Sequence, residues 1–338
     1  MPKSISEQVI VVVGASSGIG LATARGAAAR GARVVLAARN GRDLARAVDE
    51  IRRAGGEAIA VPTDVTDPAQ VEALGRRAIA AYGRVDTWAH VAGVTAYAEF
   101  LEQSPEDFAR VMDVVFYGQV NGARVALPLL EQTGGAFVSV GSGFSDRGVP
   151  LQSAYCAAKH ALKGWIDSLR VELAHRRSPV RLTLIKPASM NTPLFAKART
   201  QTGRLPQPIP PVYDPELAAD AILRAAEGDV RERHVGSAGR LLSLADRVTP
   251  ALLDASLRVV GYAQQQTDQP KAADAPSNLH APMEHDGGVR GAYTEHVRPR
   301  RLYRELAQHP IAAPIAGAAV LGLAAVVARW AGDRRPPG

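Results

Sequence analysis

One stretch near the N-terminus most constrains the fold: an apolar run that leads directly into a glycine-rich turn. Residues 9–13 read VIVVV, the next seven read GASSGIG, and an alanine-rich helical pattern then ends at Gly31. A continuous β-branched run predicts a strand buried on both faces, as in a parallel sheet. A glycine-rich turn between such a strand and a helix lets backbone N–H groups approach a pyrophosphate. The opening therefore predicts a dinucleotide-binding unit.

The same alternation of strand and helix continues to about residue 240. Further strands are predicted at 33–37, 58–61, 85–91, 137–140, 180–185 and 233–235. Helices are predicted between them at 42–54, 68–82, 105–132, 151–177 and 215–226. Repeated units of this spacing predict an α/β fold with a doubly wound parallel sheet and helices on both faces. The glycine-rich turn then places a phosphate site at the carboxyl edge of the sheet.

The end of the second strand bears on the choice of cofactor. An acidic residue there would bind the ribose 2′-OH of NAD, but the sequence reads Ala37-Ala38-Arg39. The guanidinium of Arg39 can pair with a 2′-phosphate, which favours NADP over NAD. The alternative interpretation of Arg39 is a solvated surface residue.

A second motif lies on the predicted helix at 151–177. Tyr155 and Lys159 are four residues apart, so they share one helix face. A phenol has a pKa near 10, and a neighbouring ammonium lowers it, which makes such a pair a proton donor to a carbonyl oxygen. Ser142 follows the strand at 137–140, and its hydroxyl could hold the same oxygen.

Together these motifs resemble the short-chain dehydrogenase/reductase family over roughly residues 7–240. The resemblance implies one Rossmann-type domain with a seven-stranded sheet, hydride transfer between NAD(P) and a carbonyl or alcohol, and a homo-oligomer. It makes Tyr155 the general acid/base, Lys159 the modulator of that tyrosine and a ribose ligand, and Ser142 the residue that orients the substrate. The residues predicted to bind the cofactor are Gly14, Ser16, Ser17, Gly18, Ile19, Gly20, Arg39, Asp64, Val65, Ala92, Gly93, Tyr155, Lys159, Pro187 and Thr192.

The sequence departs from the family pattern at three places. Where the family has Asn-Asn-Ala-Gly, this sequence has His90-Val91-Ala92-Gly93. Val115 stands in place of the family's catalytic asparagine, and Pro187-Ala188 stands in place of its Pro-Gly. In the family the main-chain carbonyl of the asparagine holds a relay water, and Val115 also has that carbonyl, so we expect reduced or altered activity rather than none. His90 is interpreted as a strand-end histidine that forms hydrogen bonds in place of asparagine. Cys156 is interpreted as a small packing residue.

The region after Pro187 is the expected substrate loop. It holds Met190, Leu194 and Phe195 and the proline-rich stretch 205–211. Apolar side chains with few charges favour a small apolar carbonyl or alcohol as substrate. The alternative is that these side chains only pack the loop on the core.

The composition changes near residue 263. The catalytic domain is predicted at 1–263, a loosely ordered linker at 264–309 and an apolar helix at 310–330. Residues 311–328 carry no charge, and as a helix they would span about 27 Å of a ~30 Å hydrocarbon core. This predicts a membrane anchor with the catalytic domain on the cytoplasmic face, or a cytoplasmic protein if the helix packs on a domain instead. The histidines of this region lack i, i+4 spacing and predict no metal site: His280, His285, His296 and His309.

Composition narrows the remaining classes of function. The single cysteine excludes a disulfide scaffold and a zinc site built on cysteines. The net charge is +7, but the arginines are scattered and aromatic residues make up only 5%, so no nucleic-acid partner is predicted. The first hypothesis is an NADP-preferring oxidoreductase. The rivals are a cofactor-binding sensor or scaffold with weakened or lost catalysis, and an isomerase or epimerase that uses bound nicotinamide.

Overall fold

Seven strands form a single parallel sheet in the computed structural model, which describes residues 2–285, 287–294 and 297–298. They are β1 (Val9–Val13), β2 (Arg33–Ala38), β3 (Glu57–Pro62), β4 (Thr87–His90), β5 (Ala136–Val140), β6 (Arg181–Pro187) and β7 (Glu232–Val235). Their order is β7-β6-β5-β4-β1-β2-β3, so the chain moves outward from β1 in both directions. This is the predicted doubly wound sheet, and it places a topological switch point beside β1.

Helices cover both faces of the sheet. They are α1 (Gly18–Ala28), α2 (Gly41–Arg53), α3 (Pro68–Tyr82), α4 (Pro105–Met112), α5 (Gly118–Thr133), α6 (Ser153–His175), α7 (Pro215–Glu227), α8 (Ser237–Val248) and α9 (Pro250–Val260). A short helical turn lies at Leu194–Lys197. Side chains cap several of the N-termini; Asp67, for example, accepts from Ala69 N at 2.9 Å at the start of α3.

Strand β1 explains why the sheet needs two layers of helices. All five of its residues are buried. Val11 and Val13 pack with Trp88 and Leu162 on one face, whereas Ile10 and Val12 pack with Leu36 and other residues on the opposite face. Successive strand residues point to opposite faces, so an unbroken apolar run requires both faces to be covered.

The predicted helix at 105–132 is interrupted. A π-helical turn at Asp113–Tyr117 separates α4 from α5. Such turns insert one residue into the hydrogen-bond ladder and often lie at functional sites. Val115, at the position of the family's catalytic asparagine, is buried inside this turn.

Residues after 263 lie against the catalytic domain in the part that the structure describes. The strand Gln266–Pro270 pairs antiparallel with Arg204–Pro206, and Val297–Arg298 pairs parallel with Val212–Tyr213. Two more short strands, Ala96–Tyr97 and Arg199–Thr200, pair with each other. The segment expected as a loosely ordered linker at 264–309 therefore includes, among its described residues, two short strands that pair with the catalytic domain.

The predicted membrane anchor at 311–328 lies outside the described residues. Within the described ranges, no helix is both long and apolar enough to cross a bilayer.

Candidate active site

The glycine-rich turn after β1 is shaped by close backbone contacts. Gly14 has φ +89°, and a Cβ there would lie 2.6 Å from the backbone nitrogen of Ala92. A Cβ on Gly20 would overlap the carbonyl oxygen of Gly14. These two positions therefore require glycine, and their packing leaves the first turn of α1 facing the cleft at the carboxyl edge of the sheet.

Helix α6 presents Tyr155 and Lys159 to the same cleft. The Lys159 ammonium donates to the carbonyl oxygen of Val140, the last residue of β5, at 2.7 Å. Its nitrogen lies 5.5 Å from the centre of the Tyr155 ring. Ser142, just beyond β5, lines the same cleft, and its hydroxyl accepts from Phe144 N at 3.1 Å. The two motifs predicted from the sequence therefore meet.

Burial changes the acidity of both groups in opposite directions. It raises the pKa of Tyr155 to about 12, although the neighbouring Ser142 hydroxyl lowers this pKa. It lowers the pKa of Lys159 to about 7. The phenol therefore keeps its proton at neutral pH, and Lys159 titrates in the physiological range.

All of the predicted site residues line one cleft of about 930 Å³. This holds for the glycine-rich turn, for Arg39, for the 64–65 and 92–93 positions, for Pro187 and Thr192, and for Ser142, Tyr155 and Lys159. The sequence motifs come from six different strand ends and from α6, and the topology brings them to one edge of the sheet. The arrangement fits a dinucleotide laid across the switch point beside β1.

Two charged side chains, Arg39 and Asp64, line the end of the cleft near β2. The Arg110 guanidinium donates to the Asp64 carboxylate at 2.8 Å; although burial raises the pKa of Asp64, this pairing leaves it below its ordinary value. Arg39 donates to the carbonyl oxygen of His280 at 3.1 Å and also to that of Asn278. Arg39 is therefore held at the cleft by backbone carbonyls from the C-terminal segment. No sequence pattern predicts these contacts.

His90 lies at the end of β4 as expected, but the expected hydrogen bonds are not formed. Its side chain is fully buried, and neither ring nitrogen has a partner among the described residues. Burial, reinforced by the nearby Lys159, lowers the pKa of His90 to about 3, so the imidazole stays neutral at physiological pH. Burial also raises the pKa of the Cys156 thiol to about 11, which fits a packing role.

The far end of the cleft is apolar. It includes Met190, Leu194 and Phe195 from the predicted substrate loop. Sequence reasoning missed the rest of this wall, which α8 and α9 supply through Leu241, Leu242, Leu253 and Leu257. The recurring leucines were the available signal. Among the described residues the charged side chains that line the cleft are Arg39, Asp64, Lys159 and Lys197, and Lys197 donates to Ser17 of the glycine-rich turn.

A parallel sheet with a glycine-rich turn, and a Tyr–Lys–Ser group at its carboxyl edge, define a nicotinamide-dependent dehydrogenase or reductase. The model of the short chain dehydrogenase family matches residues 8–203. The uncharacterized oxidoreductase YxnA of Bacillus subtilis is 37% identical over 340 residues, covering 98% of this chain and 92% of that protein. An uncharacterized oxidoreductase of Listeria innocua is 34% identical over 193 residues, covering 57% of this chain and 78% of that protein.

Two solved structures show the same fold. An alcohol dehydrogenase from the archaeon Thermococcus sibiricus, complexed with 5-hydroxy-NADP, has a TM-score of 0.59 and 25% identity over 67% of this chain and 94% of its own. A dehydrogenase/reductase from Sinorhizobium meliloti has a TM-score of 0.60 and 27% identity over 69% and 94%. The chain belongs to the short-chain dehydrogenase family. It is an NAD(P)-dependent oxidoreductase, and its similarity to YxnA extends beyond the family region into the C-terminal segment.

Proposed function

We propose that this enzyme is an NADP(H)-preferring oxidoreductase that interconverts a neutral, apolar carbonyl compound and its alcohol, with Tyr155 as the general acid/base. The observation that carries the proposal is that Ser142, Tyr155 and Lys159 line one cleft, with the Lys159 nitrogen 5.5 Å from the centre of the Tyr155 ring. The cleft has a polar arm at Arg39 and the glycine-rich turn, and an apolar arm at α8 and α9. The glycine cradle formed by Gly14 and Gly20 supports a bound dinucleotide.

Bound NADP(H) supplies or accepts the hydride. During reduction the Tyr155 hydroxyl gives its proton to the carbonyl oxygen, and the Ser142 hydroxyl donates a hydrogen bond to the same oxygen. The Lys159 ammonium, held by the Val140 carbonyl, stabilises the phenolate that forms. During oxidation the phenolate takes the proton of the alcohol. Positioned proton transfer of this kind contributes roughly 10²–10⁴-fold to a rate.

The preference for NADP rests on Arg39. It follows β2 in a place where an acidic residue would favour NAD, and it lines the cleft. Its planar guanidinium suits a 2′-phosphate.

The substrate class rests on the apolar arm. Leu241, Leu253 and Leu257 line it, whereas Arg39, Asp64 and Lys197 lie with the polar arm or pair with the glycine-rich turn. A charged substrate would lose its hydration there without gaining a partner. Neutral aldehydes, ketones or alcohols with an aliphatic or cyclic body therefore fit best.

A cofactor-binding sensor or scaffold remains the second candidate. Val115 in place of the family's asparagine, and His90 without a hydrogen-bond partner among the described residues, favour it. The membrane anchor at 311–328, the homo-oligomer and the cytoplasmic location stay predictions from the sequence.

One variant separates the two candidates. Wild type and Tyr155→Phe are each given NADPH with a panel of neutral aldehydes and ketones of increasing size. We expect Tyr155→Phe to bind NADPH with the affinity of the wild type and to lose at least 100-fold in kcat. A wild type that binds NADPH but reduces nothing in the panel would favour the sensor.

A further inference from the structure

The C-terminal segment crosses the polar arm of the cleft. Residues 278–285 and 287–291, here called the strap, first meet the end of β2 and the start of α2. Arg39 donates to the carbonyls of Asn278 and His280, and Asn40 Nδ2 donates to Met283 O at 3.0 Å. At this end of the strap, backbone carbonyls of the strap accept all three of these hydrogen bonds.

The strap then passes over the glycine-rich turn. The backbone N–H of Gly18, the first residue of α1, donates to the Gly288 carbonyl at 3.0 Å. The strap also packs tightly on the loop after β6, since a Cβ on Gly291 would lie 2.5 Å from the carbonyl oxygen of Thr192. The strap therefore touches both sides of the region where the glycine-rich turn faces the cleft.

Side chains outside the cleft anchor the strap. Arg290 forms ion pairs with Asp214 at 3.0 Å and Glu216 at 2.7 Å, at the start of α7. His280 Nε2 lies 2.7 Å from the Asp107 carboxylate on α4. The two anchor helices pack on opposite faces of the sheet, and His280 and Arg290 tie the strap near both of its ends.

The strap forms a wall of the cleft and leaves the cleft open beneath it. Asn278 and Pro282 line the same 930 Å³ cavity as Asp64 at one end and Leu253 at the other. The cavity therefore continues past the strap, and a cofactor bound there would share Arg39 and the glycine-rich turn with it.

We propose that the strap is part of the cofactor site, and that it encloses the adenosine half of the bound nicotinamide cofactor so that the cofactor leaves only when the strap detaches. This inference rests on the proposed function, because it requires that NADP(H) occupies this cleft. It gives a role to residues that lie outside the region matched by the family model, 8–203.

The test measures cofactor release from the full-length enzyme. NADPH is bound first, and its dissociation is followed by the loss of nicotinamide fluorescence after mixing with excess NADP⁺. Arg290→Gln removes both ion pairs of one anchor from a half-exposed side chain, so folding should be unaffected. The matched control is Arg30→Gln, which breaks a similar surface ion pair with Asp220 just beyond the C-terminal end of α1, the end opposite the glycine-rich turn. We expect Arg290→Gln to release NADPH at least threefold faster than wild type, and Arg30→Gln to match wild type.

A second measurement follows the strap itself. Amide hydrogen exchange within 278–291 should slow when NADPH binds to the wild type, and should slow less in Arg290→Gln. Equal release rates in all three proteins, with amide hydrogen exchange unchanged by NADPH, would overturn the proposed role of the strap and leave the proposed function intact. Tighter NADPH binding by Arg290→Gln would also overturn it, because the strap would then compete with the cofactor. A wild type that binds neither NADPH nor NADH would overturn both proposals.

Discussion

The ammonium nitrogen of Lys159 lies 5.5 Å from the centre of the Tyr155 ring and donates to the Val140 carbonyl at 2.7 Å. The hydrogen bond fixes a cation beside the phenol, while burial makes that cation costly to keep charged. The pair is therefore poised: protonated Lys159 favours the phenolate, and neutral Lys159 leaves the phenol a weak acid. This relationship makes the chemistry of the site sensitive to pH.

The buried lysine should be visible in the stability of the cofactor-free enzyme. Burial lowers the pKa of Lys159 from 10.5 to about 7 in the folded chain. Between these values the unfolded chain binds more protons than the folded one, so stability rises with pH across this window. From about pH 7 to about pH 9 the free energy of unfolding should rise by about 2 kcal/mol more in wild type than in Lys159→Met. Denaturant unfolding at both pH values tests this; parallel pH dependences would show that Lys159 has an ordinary pKa.

Arg39→Ala should change cofactor preference. The variant loses charge-assisted hydrogen bonds to a 2′-phosphate, each of about 1.5–3 kcal/mol, so the Kd for NADPH should rise roughly 10- to 100-fold. Arg39 also holds the strap, and a strap effect alone would weaken NADPH and NADH alike. Fluorescence titration with both cofactors separates these causes. An equal loss for NADPH and NADH would contradict recognition of the 2′-phosphate by Arg39.

The apolar arm should respond to a buried charge. Leu241 of α8 lines the cleft, whereas Leu244 on the same helix is 56% exposed and does not line it. Leu241→Asp should lower kcat/KM for the larger substrates at least 10-fold, because a carboxylate in the arm costs desolvation energy when they bind. Leu244→Asp is the control and should behave as wild type. Equal kinetics in the two variants would remove α8 from the substrate site.

The sequence predicted the parts of the fold whose signal is local. The boundaries of β1 are correct because a run of five β-branched residues ends at a glycine that must be glycine. Tyr155 and Lys159 were found because helix geometry alone puts i and i+4 on one face. Ser142 joined them because parallel strands end at one edge of the sheet.

The parts that escaped prediction depend on contacts between distant segments. The π-helical turn around Val115 lies within an apolar helical pattern and leaves no mark in it. That His90 has no hydrogen-bond partner within the described part of the chain could not be foreseen, since the residue type alone favours a hydrogen bond. The strap has no hydrophobic period and binds Arg39 through backbone carbonyls, which every sequence possesses. Composition therefore predicted a linker where the structure has a wall of the cleft.

Direct hydride transfer is the central claim. NADPH carrying deuterium at the transferable position of the nicotinamide is incubated with the full-length enzyme and a neutral ketone or aldehyde that supports turnover, and the alcohol is analysed by mass spectrometry. The account predicts one deuterium on the carbinol carbon in wild type and at least 100-fold slower formation of this alcohol with Tyr155→Phe. Alcohol without deuterium, or undiminished labelled alcohol from Tyr155→Phe, would contradict it.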